Sequence, residues 1–152
     1  MVKIITSRND LEISQLERVY AGSLNDLSAL QDFYTDIVGF FKEPLAYYCV
    51  WVEKDKYVSA LRVEPFRDGW LVAGLETAPN QRGKGYAKAL LTAVLQKMPE
   101  KSTVYSHIDK GNTPSIAVHT ACGFCKYLEH AVFLDGSVSA NTYTFITKTP
   151  AP

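Results

Sequence analysis

Over residues 24–41 the apolar positions Leu24, Leu27, Leu30, Phe33/Tyr34, Ile37/Val38 and Phe41 recur at steps of three and four, the repeat of an amphipathic helix. Pro44 closes it. Upstream, VKIITS predicts a short first strand, and Leu11, Leu16, Val19 and Tyr20 fit a looser helix over residues 9–20. Beyond Pro44 the period changes. LAYYCVWVE and KYVSALRVEPF are β-branched and aromatic runs joined by the charged KDK, the pattern of an antiparallel hairpin. Arg67-Asp68-Gly69 supplies a second tight turn, and WLVAGLETA follows as a third strand. A glycine-rich turn then opens a helix with the stripe Ala87, Leu91, Val94 and Met98, ending near Pro99. STVYSHID predicts a strand, TPSIAVHTAC a helix, and CKYLEHAVFL and NTYTFITK two closing strands.

The predicted order is β-α-α-β-β-β-α-β-α-β-β, an α/β chain with a mixed sheet. Antiparallel hairpins come first, then a strand-helix-strand crossover expected to be parallel and right-handed. No repeat, low-complexity tract or linker interrupts it, so one domain over residues 1–152 is expected.

Charge narrows the function. Sixteen basic residues balance sixteen acidic ones, giving a net charge of zero. A protein that works on nucleic acid or anionic membrane usually carries a basic excess, so neither partner is expected and any anion site must be local. The N-terminal residues have no apolar run like that of a signal peptide, and the uncharged run PLAYYCVWV is too short to span a bilayer. Three cysteines do not form a disulfide framework. A soluble protein of the reducing cytoplasm is the simplest expectation.

The local anion site has a candidate in ETAPNQRGKGYAKALL, where Arg82-Gly83-Lys84-Gly85 directly precedes the helix. A helix N-terminus presents unpaired N–H groups and a partial positive charge, and glycines let a bulky anion approach the backbone. Arg82, Lys84 and Lys88 add charge. The run is not a P-loop, because Gly85 follows Gly-Lys where Ser or Thr is required. Nor is it a dinucleotide fingerprint, since Lys88 stands in place of the third glycine. A nucleotide-binding domain is therefore disfavoured, and a loop of solvated charges is the plainer alternative.

Arg82-x-x-Gly85-x-Ala87, after a strand and opening a helix, resembles the coenzyme-A signature of the GNAT superfamily of N-acetyltransferases. Downstream, NTPSIAVHTACGF resembles that family's second block, an Asn, a small residue, an aromatic or histidine, then Gly-Phe. The resemblance covers about residues 57–127 specifically, and the first 45 residues in element order alone. It implies an acetyl-CoA-dependent enzyme that moves an acetyl group to a primary amine by direct transfer in a ternary complex, with no metal. Pantetheine would lie against Leu75 and Thr77, with one backbone N–H near Leu75 polarising the thioester carbonyl. The pyrophosphate would sit on residues 82–87, namely Arg82, Gly83, Lys84, Gly85, Tyr86 and Ala87, with Lys88 beside them. Asn112 and Ser115 would reach the coenzyme from the second helix.

Family members often carry, four residues before the Gly of Gly-Phe, a tyrosine that protonates the leaving thiolate; here that position is His119. Histidine has an ordinary pKa near ~6.5 and suits acid-base work. The plainer alternative is a packed helix histidine bonded to a carbonyl. Glu76 is the candidate base, with a salt-bridged sheet glutamate or a substrate-charge selector as its alternatives. The first helices and last hairpin, residues 11–41 and 133–143, would build a pocket for a small-molecule or peptide amine. The departure at His119 also admits a coenzyme-A-binding module that regulates without catalysing. A homodimer through the edge left by the last strands is a further expectation. Cys122-x-x-Cys125 resembles a redox or zinc motif, but Cys122 ends a helix where reactive pairs open one, and no second ligand pair accompanies it.

Overall fold

The computed structural model describes residues 1–150. Nine strands and four helices follow one another as β1 (Val2–Ile5), α1 (Ile13–Val19), α2 (Leu27–Phe40), β2 (Tyr47–Glu53), β3 (Lys56–Phe66), β4 (Gly69–Thr77), α3 (Tyr86–Lys97), β5 (Thr103–Asp109), α4 (Thr113–Ala121), β6 (Cys125–Leu128), β7 (Ala131–Val132), β8 (Val138–Ser139) and β9 (Thr142–Lys148). Seven strands form one sheet in the order β1-β2-β3-β4-β5-β9-β6. Every neighbouring pair is antiparallel except β4 and β5, which are parallel across α3. That is the mixed sheet the element order implied.

Strand alternation sorts the core into two layers. On β2, Cys49 faces α3 and α4 with Leu61, Val63, Val72, Leu90, Leu91, Val94 and Val104. Its neighbours Tyr48 and Val50 face α1 and α2 with Ile5, Leu16, Val19 and Ile37. Fully burying one such side chain stabilises the fold by about 1.5–3 kcal/mol, so both layers contribute heavily. Lys54 and Asp55, both at positive φ, turn the β2–β3 hairpin.

Three differences from the sequence pattern have physical causes. Helix α1 is two turns long, because residues 8–10 form a separate 3-10 turn capped by Ser7. Helix α2 starts at Leu27, where Asp26 caps the Ala29 N–H at 2.7 Å. Of its broad apolar stripe only Ile37 is fully buried, while Leu27 stays 71% exposed. The expected strand over residues 125–134 breaks after Leu128: β6 pairs with β9, and β7 turns away to pair with β8 in a small hairpin. Among the described residues no helix is long and apolar enough to cross a membrane.

Candidate active site

The site begins at a strand that fails to pair. Strand β4 is joined to β5 only through Trp70↔Val104, Leu71↔Tyr105 and Val72↔Ser106. From Ala73 onward the two strands part, and the edge of β4 that faced β5 is left without a ladder. A bulge marks the departure: the β3–β4 register shifts between Ala60 and Arg62, and Gly74 adopts φ +64. Only glycine takes that conformation without strain. The Tyr20 hydroxyl donates to the Gly74 carbonyl and holds the bulge from the α1 side. Burial pushes the Tyr20 phenol well above its ordinary pKa, so it stays a donor.

Facing the parted strands, the glycine turn leads into α3. Gly83 and Gly85 have φ +78 and +83, and Gly85 is the N-cap residue of α3, with no side-chain capping bond. A Cβ at either glycine would meet nothing within 4 Å, so the space above the turn is open. The first N–H groups of α3 are thus presented to that space by the backbone itself. Helix α4 starts differently: Asn112 Oδ1 accepts from the Ser115 N–H at 3.3 Å, and Pro114 fills the first turn.

A cleft of about 370 Å³ lies between the β4 edge, the turn and α4. The sequence-predicted residues Leu75, Glu76, Thr77, Arg82, Gly83, Gly85, Tyr86, Ala87, Lys88, Asn112 and Ser115 all line it. Lys84 does not; its Nζ donates to Gln81 Oε1 at 3.0 Å. The sequence reading did not name Gln81, Pro114 and Val118, which complete the wall. Arg82 Nη2 lies 3.0 Å from Glu76 Oε1, and its Nε donates to the Thr77 carbonyl at 3.2 Å. The cation of the turn is thereby tied back to the end of β4, and Glu76 both carries this ion pair and lines the cleft.

His119 stands behind the lining of the cleft and is only 2% exposed. Its Nδ1 lies 2.7 Å from the Ser115 carbonyl, which can only accept, so Nδ1 carries the proton. Nε2 then accepts from the Ser106 hydroxyl at 2.9 Å. The ring also packs edge-on against Phe124. Burial holds its pKa below the ordinary value, and the bond to the Ser115 carbonyl only partly opposes this. The expected acid is therefore a neutral imidazole with both nitrogens engaged, bonded to a helix carbonyl as its plainer alternative had it.

A second cavity, also about 370 Å³, opens on the opposite side of β4 between α2 and β3. Tyr20, Asp32, Asp36, Tyr48, Arg62 and Gly74 line it. Gly74 faces this cavity and Leu75, the next residue, faces the first, so a single strand separates the two. Sequence reasoning leaves Arg62 out as a strand charge that shares the ambiguity of Glu76, and passes over the α2 acids because nothing in their local spacing marks a site.

The sequence matches the model of the acetyltransferase (GNAT) family over residues 11–124. A search of curated proteins finds no match. Among solved structures the fold is similar to the N-acetyltransferase PseH of Campylobacter jejuni in complex with acetyl coenzyme A, at TM-score 0.68 and 12% identity over 98% of this chain and 99% of that one. It is also similar to the ribosomal-protein-S18-alanine N-acetyltransferase of Escherichia coli, at TM-score 0.68 and 13% identity over 97% and 94% of the two chains. The spermidine N-acetyltransferase of Vibrio cholerae in complex with CoA and spermine gives TM-score 0.65 and 15% identity over 99% and 96%. With that model covering residues 11–124, the chain belongs to the acetyltransferase (GNAT) family and is an acyltransferase.

Proposed function

We propose that the protein transfers the acetyl group of acetyl-CoA directly to a primary amine within a ternary complex. The observation that carries this reading is the placement of Gly74 and Leu75. Consecutive residues of one bulged strand line two cavities, so a donor in one and an acceptor in the other would meet at the bulge.

The first cavity fits the coenzyme. Its open glycine turn and uncapped helix start suit a pyrophosphate, and the unpaired edge of β4 from Ala73 suits the amides of pantetheine. Bound there, the coenzyme supplies an activated acyl group. The chain's part is then positional and electrostatic. The Leu75 N–H, freed from the ladder by the bulge, is the donor for the acyl oxygen, and one such donor is worth about 2.7–4 kcal/mol in transfer reactions. Glu76, beside it, takes the proton from the attacking amine, directly or through water. His119 is a positioning residue: it fixes Ser106 at the last paired step before β4 and β5 separate. Departing as a thiolate, the leaving group takes its proton from water.

Thermal unfolding with acetyl-CoA, CoA, ATP or NADH tests the donor half. A ligand at 100 times its dissociation constant adds about 2.7 kcal/mol to the folded state, a rise of several degrees in Tm. Stabilisation by the two coenzyme-A species alone is expected. Stabilisation by ATP or NADH alone, or by none, would overturn the reading. With a turned-over amine, intersecting initial-velocity plots are expected, and parallel ones would replace direct transfer with a covalent acyl-enzyme.

A further inference from the structure

Arg62 is the one feature of the second cavity that the fold alone does not explain. It sits on β3 opposite Ala73, and its guanidinium lies against the β4 bulge: a Cβ on Gly74 would be 3.5 Å from Nε and 3.6 Å from Cζ. The same Cβ would be 3.3 Å from the Tyr20 hydroxyl. The side chain is half-buried, stacks 6.0 Å from the centre of the Phe40 ring, and has the Tyr48 hydroxyl beside it. Among the described residues the ion pairs are Arg82–Glu76 and Lys126–Glu129, so no carboxylate lies within 4.0 Å of Arg62, and the Glu64 carboxylate on the same strand favours its charge only from farther away. A cation taken partly out of water without a paired anion costs stability, and that cost is offset when a ligand brings the anion. Guanidinium is also the side chain best matched to a carboxylate, through two parallel hydrogen bonds.

The other wall carries the opposite sign. Asp32 and Asp36 stand one turn apart on the same face of α2, both exposed and both lining the cavity. A simple anion would be repelled by them, and a simple polyamine would be repelled by Arg62. A molecule bearing both charges satisfies both walls.

We propose that the acceptor is a zwitterion, a free amino acid whose carboxylate is held by Arg62 beside the β4 bulge while its ammonium group is drawn in past Asp32 and Asp36. This rests on the acetyl-transfer reading above. The ammonium loses a proton to Glu76 or water, the N–C bond forms as the C–S bond of the thioester breaks, and the products are an N-acetyl amino acid and CoA thiol. The requirement is for a carboxylate close to the reacting amine, which a peptide N-terminus and a polyamine both lack.

The test compares matched acceptors with acetyl-CoA by following thiol release: lysine against cadaverine, ornithine against putrescine, and each free amino acid against its amide. Acetyl-CoA binding is titrated separately, without acceptor. The free acids are expected to exceed their partners without a carboxylate in kcat/KM by roughly 10- to 100-fold, the worth of a charged hydrogen-bonded pair. Arg62→Met should erase that preference, and Arg62→Lys should keep part of it, with acetyl-CoA stabilising both variants as it does the parent. Arg62→Met should also raise the Tm of the unliganded protein, a readout that needs no acceptor. Equal or better turnover of the amides or diamines overturns the proposal. So does the absence of turnover with every free amino acid while acetyl-CoA binds. Failure of acetyl-CoA to bind is a different result, seen in the titration alone, and removes the transfer reading together with the proposal built on it.

Discussion

His119 Nε2 lies 2.9 Å from Ser106 Oγ, and this bond ties helix α4 to strand β5 at the residue where β5 last pairs with β4. The two groups are 2% and 3% exposed, so neither can exchange the partner for water. The imidazole thus belongs to the scaffold that keeps the cleft apart, and its chemistry is felt first in stability.

That chemistry has a direction. Burial lowers the pKa of His119, and burial first, then the Arg67 cation, lowers that of His107, whose Nε2 has no hydrogen-bond partner. In the unfolded chain both rings take up a proton near the ordinary value of 6.5; in the folded chain they stay neutral to lower pH. Below that value the unfolded state binds more protons, so stability is fully present above 6.5 and is lost as pH falls. His119 alone contributes a slope of up to about 1.4 kcal/mol per pH unit in that window. Denaturant midpoints between pH 5 and 8 measure it. His119→Gln is expected to be less stable at pH 8 and to show a shallower decline in acid. An unchanged slope would mean that His119 does not titrate differently on folding.

Gly69, the first residue of β4, packs closely against β5. A Cβ there would lie 2.0 Å from the Thr103 carbonyl oxygen, a backbone atom that cannot swing aside. Gly69→Ala must therefore push β4 away from β5 just before their three paired steps. A loss of about 3 kcal/mol or more is expected, a fall of about 10 °C in Tm for a chain of this size. A near-normal Tm would show that the two strands slide at little cost.

The sequence makes the first cleft legible for a definite reason. Its parts are contiguous: Leu75 to Thr77 end one strand, residues 82–88 turn and open the next helix, and Asn112 and Ser115 sit in one helical turn. Its turn offers backbone groups rather than side chains, and glycine is the visible sign of that. The second cavity joins Tyr20, Asp32, Asp36, Tyr48, Arg62 and Gly74 from five segments, and each residue has an ordinary explanation where it stands. Only the sheet register brings Arg62 to the bulge. His119 was misleading in another way. Its place in the motif is a position along α4, whereas its role depends on Ser106, which β5 supplies. The break after Leu128 was likewise hidden, because residues 125–134 have strand composition throughout and the change of partner from β9 to β8 leaves no local mark.

The glycine turn separates binding from stability. Gly85 needs φ +83, which costs any other residue roughly 1–2 kcal/mol, yet a Cβ there touches nothing within 4 Å. Gly85→Ala should remain folded with a Tm lower by only a few degrees, while its methyl occupies the space where phosphate oxygens would meet the helix N–H groups. A drop in acetyl-CoA affinity of at least about tenfold is expected by titration calorimetry, the loss of one charge-assisted hydrogen bond. Parent-like affinity would move the pyrophosphate off this turn.

The Arg82–Glu76 pair distinguishes a base from a clamp. The pair joins the glycine turn to the end of β4 at 3.0 Å, with the two side chains 54% and 32% exposed. So exposed a pair contributes under about 1 kcal/mol to folding, and neither Glu76→Gln nor Arg82→Gln should shift Tm appreciably. If Glu76 accepts the amine proton, Glu76→Gln lowers kcat by about 100-fold or more and leaves acetyl-CoA affinity nearly intact. Arg82→Gln then weakens acetyl-CoA binding with a modest effect on kcat, and the two effects add in the double variant. If Glu76 only steers Arg82, both single variants weaken coenzyme binding alike, and the double variant is no worse than either. The first pattern is expected, because Glu76 lines the cleft beside Leu75, whereas a clamp needs no place on that wall. Single-turnover rates and acetyl-CoA titrations on the four proteins decide between the two.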